Sequence, residues 1–285
     1  MINDHNRLMQ SILKLTGVHL EDSKLYLLEA RLSEIMKEYN LVSYDQVAMK
    51  LEKRDDRVFI DKVIENITTH ETRFFRDESV YDAFILQIIP EWFDKNRITP
   101  LNLKGTKLQI WSAACSTGQE PYSIAMMLLE KFPQLAGSIS ILGTDISKYT
   151  LDKAATATFT KFEVERGLPS SYLQKYFEPN GDKYILKKSV ASCVSFKQHN
   201  LMTDPYPGQF DIIFCRNVAI YFTESARKEI YNKLKNALKQ EGVLMLGSSE
   251  SLMGYIDNYV LRDFGLARYY EFASNVTFFS SRRGK

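Results

Sequence analysis

Residues 108–123 read LQIWSAACSTGQEPYS, and the fold prediction starts from this stretch. The apolar run at 108–111 predicts a β-strand, the small residues after it predict a tight loop, and a helix is predicted over 120–131. Further strands are predicted at 139–143, 210–215 and 243–246, and further helices at 147–157 and 223–239. Because the strands are continuously apolar and alternate with helices, we predict an α/β fold whose parallel sheet is covered on both faces.

The chain before this sheet is predicted to be helical. Over 23–39, apolar residues recur at steps of three and four, which places them on one helical face, and the pattern returns over 58–67. Gly17 is the only glycine before Gly105, and no proline precedes Pro90. The sequence therefore predicts an all-α domain over 1–78, a linker helix over 79–100 and a sheet domain over 101–285.

Two segments depart from the strand–helix alternation. Residues 172–200 hold short apolar runs around Asn180-Gly181, and this dipeptide between such runs is a strong hairpin signal. We predict a small antiparallel β-subdomain inserted over 172–200. Runs at 268–272 and 276–280 predict a second hairpin, added antiparallel at the edge of the sheet.

Composition excludes several classes of protein. Of 285 residues, 45% are apolar and 25% charged, which excludes wholesale disorder. The net charge of +2, from 37 Lys+Arg and 35 Asp+Glu, gives no footprint of a general nucleic-acid binder. No apolar run reaches about 18 residues and the start lacks a signal peptide, so membrane insertion is not expected. Three scattered cysteines suit neither a disulfide framework nor a metal site. We expect a reduced, cytoplasmic protein.

The loops after the strands should carry the chemistry, because open parallel sheets bind ligands past the carboxyl ends of their strands. The first loop lacks the glycine patterns of dinucleotide and phosphate sites. Its small residues, ending at Glu120, suit a ligand that is bulky near the backbone, or form only a tight turn. Asp145 closes the second strand, where a carboxylate can accept hydrogen bonds from ribose hydroxyls or cap the next helix. Together the loops favour a nucleoside without phosphates, and S-adenosylmethionine is the common cofactor of that description.

Two later strands also end in candidate site residues. Asn200-Leu201 follows a strand predicted at 194–199. In this position the Leu201 side chain can pack on an adenine face while the Asn200 amide hydrogen-bonds to the adenine edge. The alternative is an ordinary strand end without a ligand. Residues 214–222 read FCRNVAIYF, so a buried strand leads directly into Arg216, Asn217 and Tyr221. Charged and amide side chains emerging together from an apolar strand favour a functional role over a solvated surface.

The helical half holds one further cluster. Residues 68–77 read TTHETRFFRD and place His70, Thr72 and Arg76 in a break between two helical patterns. Such a break is where the all-α domain could cover a cofactor pocket, and a core-facing corner with a solvated rim is the alternative.

Four motifs together resemble the CheR family of chemoreceptor glutamate methyltransferases. They lie at 70–77, 111–123, 144–146 and 214–222, and the likeness covers nearly the whole chain. The resemblance implies a Rossmann-like S-adenosylmethionine-dependent methyltransferase domain with an inserted β-subdomain, behind an all-α domain. It also implies methyl transfer to glutamate side chains on the cytoplasmic helices of methyl-accepting chemotaxis receptors, with S-adenosylhomocysteine as the product.

The resemblance assigns roles by position. It implies cofactor contacts for His70, Thr72, Arg76, Glu120, Asp145, Asn200, Leu201, Arg216 and Asn217. Some members capture a C-terminal receptor pentapeptide on the β-subdomain; the short turn here, with its single glycine, argues against such capture.

A glutamate acceptor needs no general base, since its ordinary pKa of about 4.3 leaves it ionised at neutral pH. We predict that Arg76 and Tyr221 orient the acceptor carboxylate and the cofactor end, with Arg216 in support.

A docking surface is open to two interpretations. If their stretch is helical, four basic residues form a stripe that suits an acidic receptor helix. A solvated face with neighbouring acidic residues is the alternative. The four are Lys50, Lys53, Arg54 and Arg57.

Two other functions fit the sequence less well. A catalytically inactive cofactor-binding adaptor should lack Arg76, Arg216 or Tyr221, and all three are present. Nucleic-acid methylation is disfavoured by the near-neutral net charge. The loop 204–207 reads DPYP and is similar to the signature of amine methyltransferases, but it precedes the strand predicted at 210–215, whereas that signature follows its strand. A small carboxylic acid as the acceptor stays open.

Overall fold

The computed structural model describes residues 2–20, 25–99, 103 and 105–272. The helices are α1 Ile2–Thr16, α2 Leu25–Glu38, α3 Tyr44–Lys53, α4 Arg57–Ile67, α5 Glu78–Ala83, α6 Ile89–Lys95, α7 Gln119–Lys131, α8 Lys148–Ala155, α9 Lys161–Glu165, α10 Ser170–Tyr176, α11 Lys188–Ala191 and α12 Glu224–Asn236. The strands are β1 Leu108–Ala113, β2 Ile139–Asp145, β3 Thr158–Thr160, β4 Phe177–Asn180, β5 Lys183–Leu186, β6 Val194–Gln198, β7 Phe210–Cys215, β8 Leu238–Leu246, β9 Val260–Phe264 and β10 Ala267–Glu271.

The main sheet has the strand order β6-β2-β1-β7-β8-β10-β9. Its first five strands run parallel, and the antiparallel β10 and β9 complete one edge. From β1 the chain moves outward to β2 and β6 on one side, and later to β7 and β8 on the other. The order therefore reverses between β1 and β7, where doubly wound sheets bind their ligands. The predicted α/β fold with a mainly parallel sheet is confirmed.

Both faces of this sheet are covered, as the apolar strands require. Successive side chains of a strand point to opposite faces. In β7, Ile212 and Phe214 pack in one core, which includes α7 and the linker helix, while Ile213 and Cys215 pack in the other, which includes α12. Helices thus cover both faces of the sheet, and its carboxyl edge is left to the loops that follow the strands.

The four helices α1–α4 share a separate core. Leu32, Val47, Phe59 and Val63 are among its fully buried members. Two helices begin at side-chain caps: Ser43 Oγ accepts from Gln46 N, and Asp56 Oδ1 accepts from Phe59 N. The predicted all-α domain is confirmed as a fold; the domain limits 1–78, 79–100 and 101–285 stay predictions.

The linker helix is continuous from α5 to α6 through a π-helical turn at Phe84–Ile88. Pro90, at the start of α6, has no N–H to donate to a carbonyl of the preceding turn. The widened turn lies immediately before it and lets the helix run on to Lys95.

The small antiparallel sheet differs from the prediction over 172–200. The hairpin around Gly181 is present as β4 and β5, but the third strand of this sheet is β3, which precedes them in the chain. Residues 172–176 are helical, and β6 pairs parallel with β2 in the main sheet. The helix α11 separates β6 from the hairpin, so the chain returns to the main sheet as a crossover strand.

The predicted C-terminal hairpin also needs correction. The strand predicted at 268–272 is present as β10, and it does add antiparallel next to β8. Its hairpin partner is β9, on the N-terminal side, through a turn at Gly265-Leu266. Residues 276–280 lie outside the described residues. None of the helices that the structure describes has the length and apolar character needed to cross a membrane.

Candidate functional site

A cleft opens at the carboxyl edge of β1, β2, β6 and β7. Its walls come from distant parts of the chain: the end of α1, the segment 67–76, and the loops that follow these four strands. Every predicted site residue lines it, namely His70, Thr72, Arg76, Glu120, Asp145, Asn200, Leu201, Arg216, Asn217 and Tyr221. The structure therefore brings the ten residues to one place, and their individual roles stay predictions.

The backbone around the cleft is held in the left-handed region at several residues that are not glycine. Ala114, Ser116 and Asn217 have φ values of 60°, 51° and 58°. Such conformations cost free energy and persist where surrounding contacts enforce them. Gly118 has φ 90°, and a Cβ there would lie 2.9 Å from Ala154 Cβ, so its close approach is to the protein rather than to the cleft.

Glu120 stands at the start of α7 with both carboxylate oxygens in use. Oε1 accepts from Ser112 Oγ at 2.7 Å, and Oε2 accepts from Arg216 Nη1 at 2.8 Å. The carboxylate thus joins the end of β1 and the start of α7 to the loop after β7, across the point where the strand order reverses.

Arg216 is the most buried charged side chain of the cleft, with 1% of its side chain exposed. Besides Glu120, its guanidinium donates to Asp77 Oδ2 and to the Arg76 carbonyl, each at 2.7 Å. Burial alone would lower the pKa of Arg216, but the nearby carboxylates outweigh burial and raise it. Arg216 therefore attaches the segment 70–77 to the sheet, and its charge is compensated within the protein.

Asp145 ends β2 deep in the cleft wall. Its Oδ2 accepts from Ser116 N at 2.8 Å and its Oδ1 from Ser147 N at 2.9 Å. Burial raises the pKa of Asp145, although these two hydrogen bonds favour the charged form. The alternative role of helix cap belongs to Ser147, whose side chain accepts from Thr150 N at the start of α8.

Asn200 and Leu201 follow β6, and they differ in how much of the side chain is left to contact a ligand. The Asn200 amide donates from Nδ2 to the Leu15 carbonyl at 2.8 Å and accepts from Met202 N through Oδ1 at 2.9 Å. This side chain thus holds the end of α1, which the sequence did not indicate. Leu201 is buried and presents an apolar surface to the cleft.

The segment 70–77 forms the roof of the cleft. His70 donates from Nε2 to the Glu65 carbonyl at 2.8 Å, and its own carbonyl accepts from Ser116 Oγ at 3.1 Å. From outside, Gly167 packs against this segment: its φ is +87°, and a Cβ there would overlap the Phe74 carbonyl oxygen. The roof is therefore fixed from below by the sheet loops and from above by the loop between α9 and α10.

Arg76 differs from Arg216 in the same cleft. Its guanidinium donates from Nη1 to the Glu71 carbonyl at 3.2 Å, and among the described residues it pairs with no carboxylate. Tyr221 is half-buried at the end of the 3-10 turn Ala219–Tyr221 and lines the cleft as well. The cleft thus holds one guanidinium paired with carboxylates, that of Arg216, and two without a carboxylate partner among the described residues, those of Arg73 and Arg76, of which Arg76 is the more buried.

Glu250 holds one of the cleft loops in place, and the sequence did not single it out. Its buried carboxylate accepts four backbone N–H groups, from Gly247 and Asn217 through Oε2 and from Val218 and Ala219 through Oε1. It therefore shapes the loop that carries Asn217 and Tyr221. A signal was present in the sequence, because Glu250 follows β8, and the loops after the other parallel strands all carry candidate residues.

The predicted basic stripe does not form one helical face. The helix α3 ends at Lys53, Arg54 adopts left-handed backbone as its C-cap, and Arg57 begins a new helix. Lys50 pairs with Asp56 at 2.8 Å, and Arg57 pairs with Asp61 at 3.3 Å. The solvated, charge-compensated interpretation is the one the structure supports.

Comparisons with known proteins agree with this geometry. Residues 3–68 match the family model described as CheR methyltransferase, all-alpha domain, and residues 70–263 match the model described as CheR methyltransferase, SAM binding domain. The chain is 36% identical to chemotaxis protein methyltransferase Cher2 of Pseudomonas putida over 253 residues, which cover 86% of this chain and 89% of that protein. It is 34% identical to chemotaxis protein methyltransferase 1 of Pseudomonas aeruginosa, with the same coverage of both chains. It is also 34% identical to the chemotaxis protein methyltransferase of Borreliella burgdorferi, over 87% of this chain and 88% of that one.

Proposed function

The chain belongs to the CheR methyltransferase family, and on this premise we propose that it methylates glutamate carboxylates of chemotaxis receptors. Family membership establishes S-adenosylmethionine-dependent methylation in chemotaxis, and nothing supports the inactive adaptor. The proposal adds the acceptor atom, a glutamate side-chain oxygen, and its place on the cytoplasmic helices of methyl-accepting receptors. It also adds the residues that act.

The uncompensated charge of Arg76 carries this proposal. Glu120 and Asp77 neutralise Arg216, whereas Arg76 has no carboxylate partner among the described residues. A guanidinium grips a carboxylate with two parallel hydrogen bonds and thereby fixes its plane. The carboxylate of an anionic acceptor would supply the negative charge that Arg76 lacks as a partner.

The residues of the cleft fit a nucleoside without phosphates. Each oxygen of Asp145 accepts one backbone N–H and keeps capacity for a further hydrogen bond, such as one from a ribose hydroxyl. Leu201 offers an apolar contact for adenine. The carboxylates of Glu120 and Asp145 would repel phosphates. S-adenosylmethionine supplies a methyl group bonded to a positively charged sulfur.

The protein's part in the reaction is alignment and the exclusion of water. A glutamate acceptor is ionised at neutral pH, so no side chain has to remove a proton. Arg76 holds the carboxylate in line with the methyl group, and the Tyr221 hydroxyl shares this task so that the ground state is not gripped too tightly. Arg216 acts indirectly, because it keeps the backbone of Arg76 in place through the Arg76 carbonyl.

Replacing Arg76 with alanine tests this assignment. We expect the rate of methyl transfer to receptor membranes to fall about 100-fold, since misplacement of a reactant by about 1 Å has that effect. Transfer is followed with tritiated S-adenosylmethionine, and glutamate esters are identified by their release as methanol in base. Arg268→Ala, at an exposed ion pair on β10, is the matched control and should leave the rate unchanged.

Two outcomes would contradict the proposal. Equal rates for Arg76→Ala and wild type would remove Arg76 from the reaction, and base-stable label or label on soluble acids alone would remove receptor glutamate as the acceptor. The same assay, run on receptor fragments with and without their C-terminal pentapeptide, tests the prediction that no peptide capture is needed.

A further inference from the structure

We infer that residues 15–19 of the all-α domain form a strap that completes the cofactor cleft and must be docked for the cofactor to bind tightly. The inference rests on the proposed placement of S-adenosylmethionine in that cleft. It adds a binding element outside residues 70–263, the part of the chain that matches the SAM-binding family model.

Hydrogen bonds to two loops dock the strap onto the sheet domain. The Leu15 carbonyl accepts from Asn200 Nδ2 at 2.8 Å, and His19 N donates to the Tyr221 carbonyl at 2.9 Å. The second of these hydrogen bonds belongs to an antiparallel bridge between Val18 and Phe222. The strap is therefore attached to the loop after β6 and to the loop after β7, both of which carry predicted site residues.

Two strap residues face the cleft itself. Thr16 and Val18 are among its lining residues, beside Asn200 and Phe222. Thr16 is 2% exposed; its hydroxyl donates to the Ile12 carbonyl at 2.9 Å and accepts from Val18 N at 3.0 Å. The strap thus has a defined shape, and a ligand filling the cleft would touch it.

Gly17 lets the strap approach so closely. Its φ is +75°, and a Cβ there would overlap Met202 Cγ and lie 2.8 Å from Phe222 Cε1. A side chain at this position would push the strap away from the two loops it joins. This explains the one glycine in the otherwise glycine-free first 104 residues.

Docking of the strap and binding of the cofactor should stabilise each other. A ligand that contacts Thr16 and Val18 binds better when the strap is docked, and by linkage it also holds the strap down. Weakening the strap should therefore weaken cofactor binding even though every residue of the sheet loops is intact.

Calorimetric titration of the full chain with S-adenosylhomocysteine tests the inference. Gly17→Ala should bind at least about tenfold more weakly than wild type, a modest coupling for two linked events. Gly137→Ala is the matched control, because Gly137 also has positive φ, +84°, but no atom within 4 Å of an added Cβ. It carries the same backbone strain and should bind like wild type.

The outcomes separate the strap from the proposed function. If wild type binds but Asp145→Ala binds equally well, the proposed cleft is wrong. If Asp145→Ala loses affinity while Gly17→Ala keeps it, the strap alone is refuted. Should Gly17→Ala fail to fold, hydrogen exchange of the wild type decides: S-adenosylhomocysteine should slow exchange of the His19 amide, and unchanged exchange there would overturn the inference.

Discussion

Replacing Glu250 with glutamine should destabilise the protein and disturb the loop that carries Asn217 and Tyr221. The buried carboxylate is the shared acceptor of the N–H groups of Gly247, Asn217, Val218 and Ala219, at 2.7, 2.7, 3.0 and 2.7 Å. Glutamine has nearly the same shape but only one accepting oxygen. Its NH₂ group would face two backbone donors.

The magnitude follows from those two donors. Each buried N–H group that loses its partner costs about 1–3 kcal/mol, so two give roughly 2–6 kcal/mol before relaxation. Partial relaxation of the loop towards solvent reduces this, and we expect a loss of about 3 kcal/mol. At about 2–4 °C per kcal/mol for a domain of this size, the melting temperature should fall by about 6–12 °C.

Thermal unfolding and methyl-transfer kinetics together measure the effect. Glu178→Gln, on an exposed position of β4, is the matched control and should melt like wild type. For Glu250→Gln, the catalytic rate should also fall at temperatures where the protein is fully folded, because the loop that carries Asn217 and Tyr221 has lost hydrogen bonds that hold its backbone in place. A melting temperature within about 1 °C of wild type would refute the reasoning, since two orphaned amides cannot cost so little.

Two further changes probe other contacts. Gly167→Ala should raise the KM for S-adenosylmethionine and lower the free energy of unfolding by about 2 kcal/mol, because the added Cβ overlaps the Phe74 carbonyl oxygen and displaces the roof of the cleft. Calorimetric unfolding measures the loss of stability. Gly181→Ala is the control for backbone strain alone, since Gly181 has φ +61° and open space around an added Cβ. Glu271→Gln should destabilise the protein at neutral pH by about 0.5–1 kcal/mol. Burial acts to raise the pKa of Glu271, but hydrogen bonds from Lys95 and Arg262 outweigh burial and lower that pKa. The stabilisation by Glu271 is therefore complete above the pKa of the unfolded state, and it is lost as the pH falls below the pKa of the folded state. Urea unfolding of both proteins across that range checks the sign, and an equal difference at all pH values would contradict it.

Local patterns predicted most of the fold because they depend on near neighbours in the chain. The apolar runs of β1, β2 and β7 and the helical spacing of α2 and α4 reflect burial, which periodicity reports directly. The rule that parallel strands end at one edge then placed Glu120, Asp145 and Arg216 in a single cleft. No contact had to be known for that step.

The remaining features depend on pairings that periodicity does not encode. The sequence predicts that Arg216 supports Arg76 and Tyr221, but it does not indicate the ion pairs of Arg216 with Glu120 and with Asp77, the latter 139 residues away in sequence. The Asn200 amide is similarly occupied by the Leu15 carbonyl, 185 residues away. Neither the left-handed backbone at Asn217 nor the role of Glu250 could be predicted without the loops that enforce them.

The reversal of strand order between β1 and β7 places two groups of proposed site residues on opposite sides of the cleft. Asp145, at the end of β2, and Leu201, after β6, are proposed to recognise the nucleoside, whereas Tyr221, proposed to orient the receptor carboxylate, follows β7 on the far side, after the predicted cofactor contacts Arg216 and Asn217. The Glu120–Arg216 ion pair joins the two halves. Redesign of acceptor preference can therefore begin at Tyr221 and in the loop after β8, with Asn217, the loops after β2 and β6 and that ion pair left unchanged.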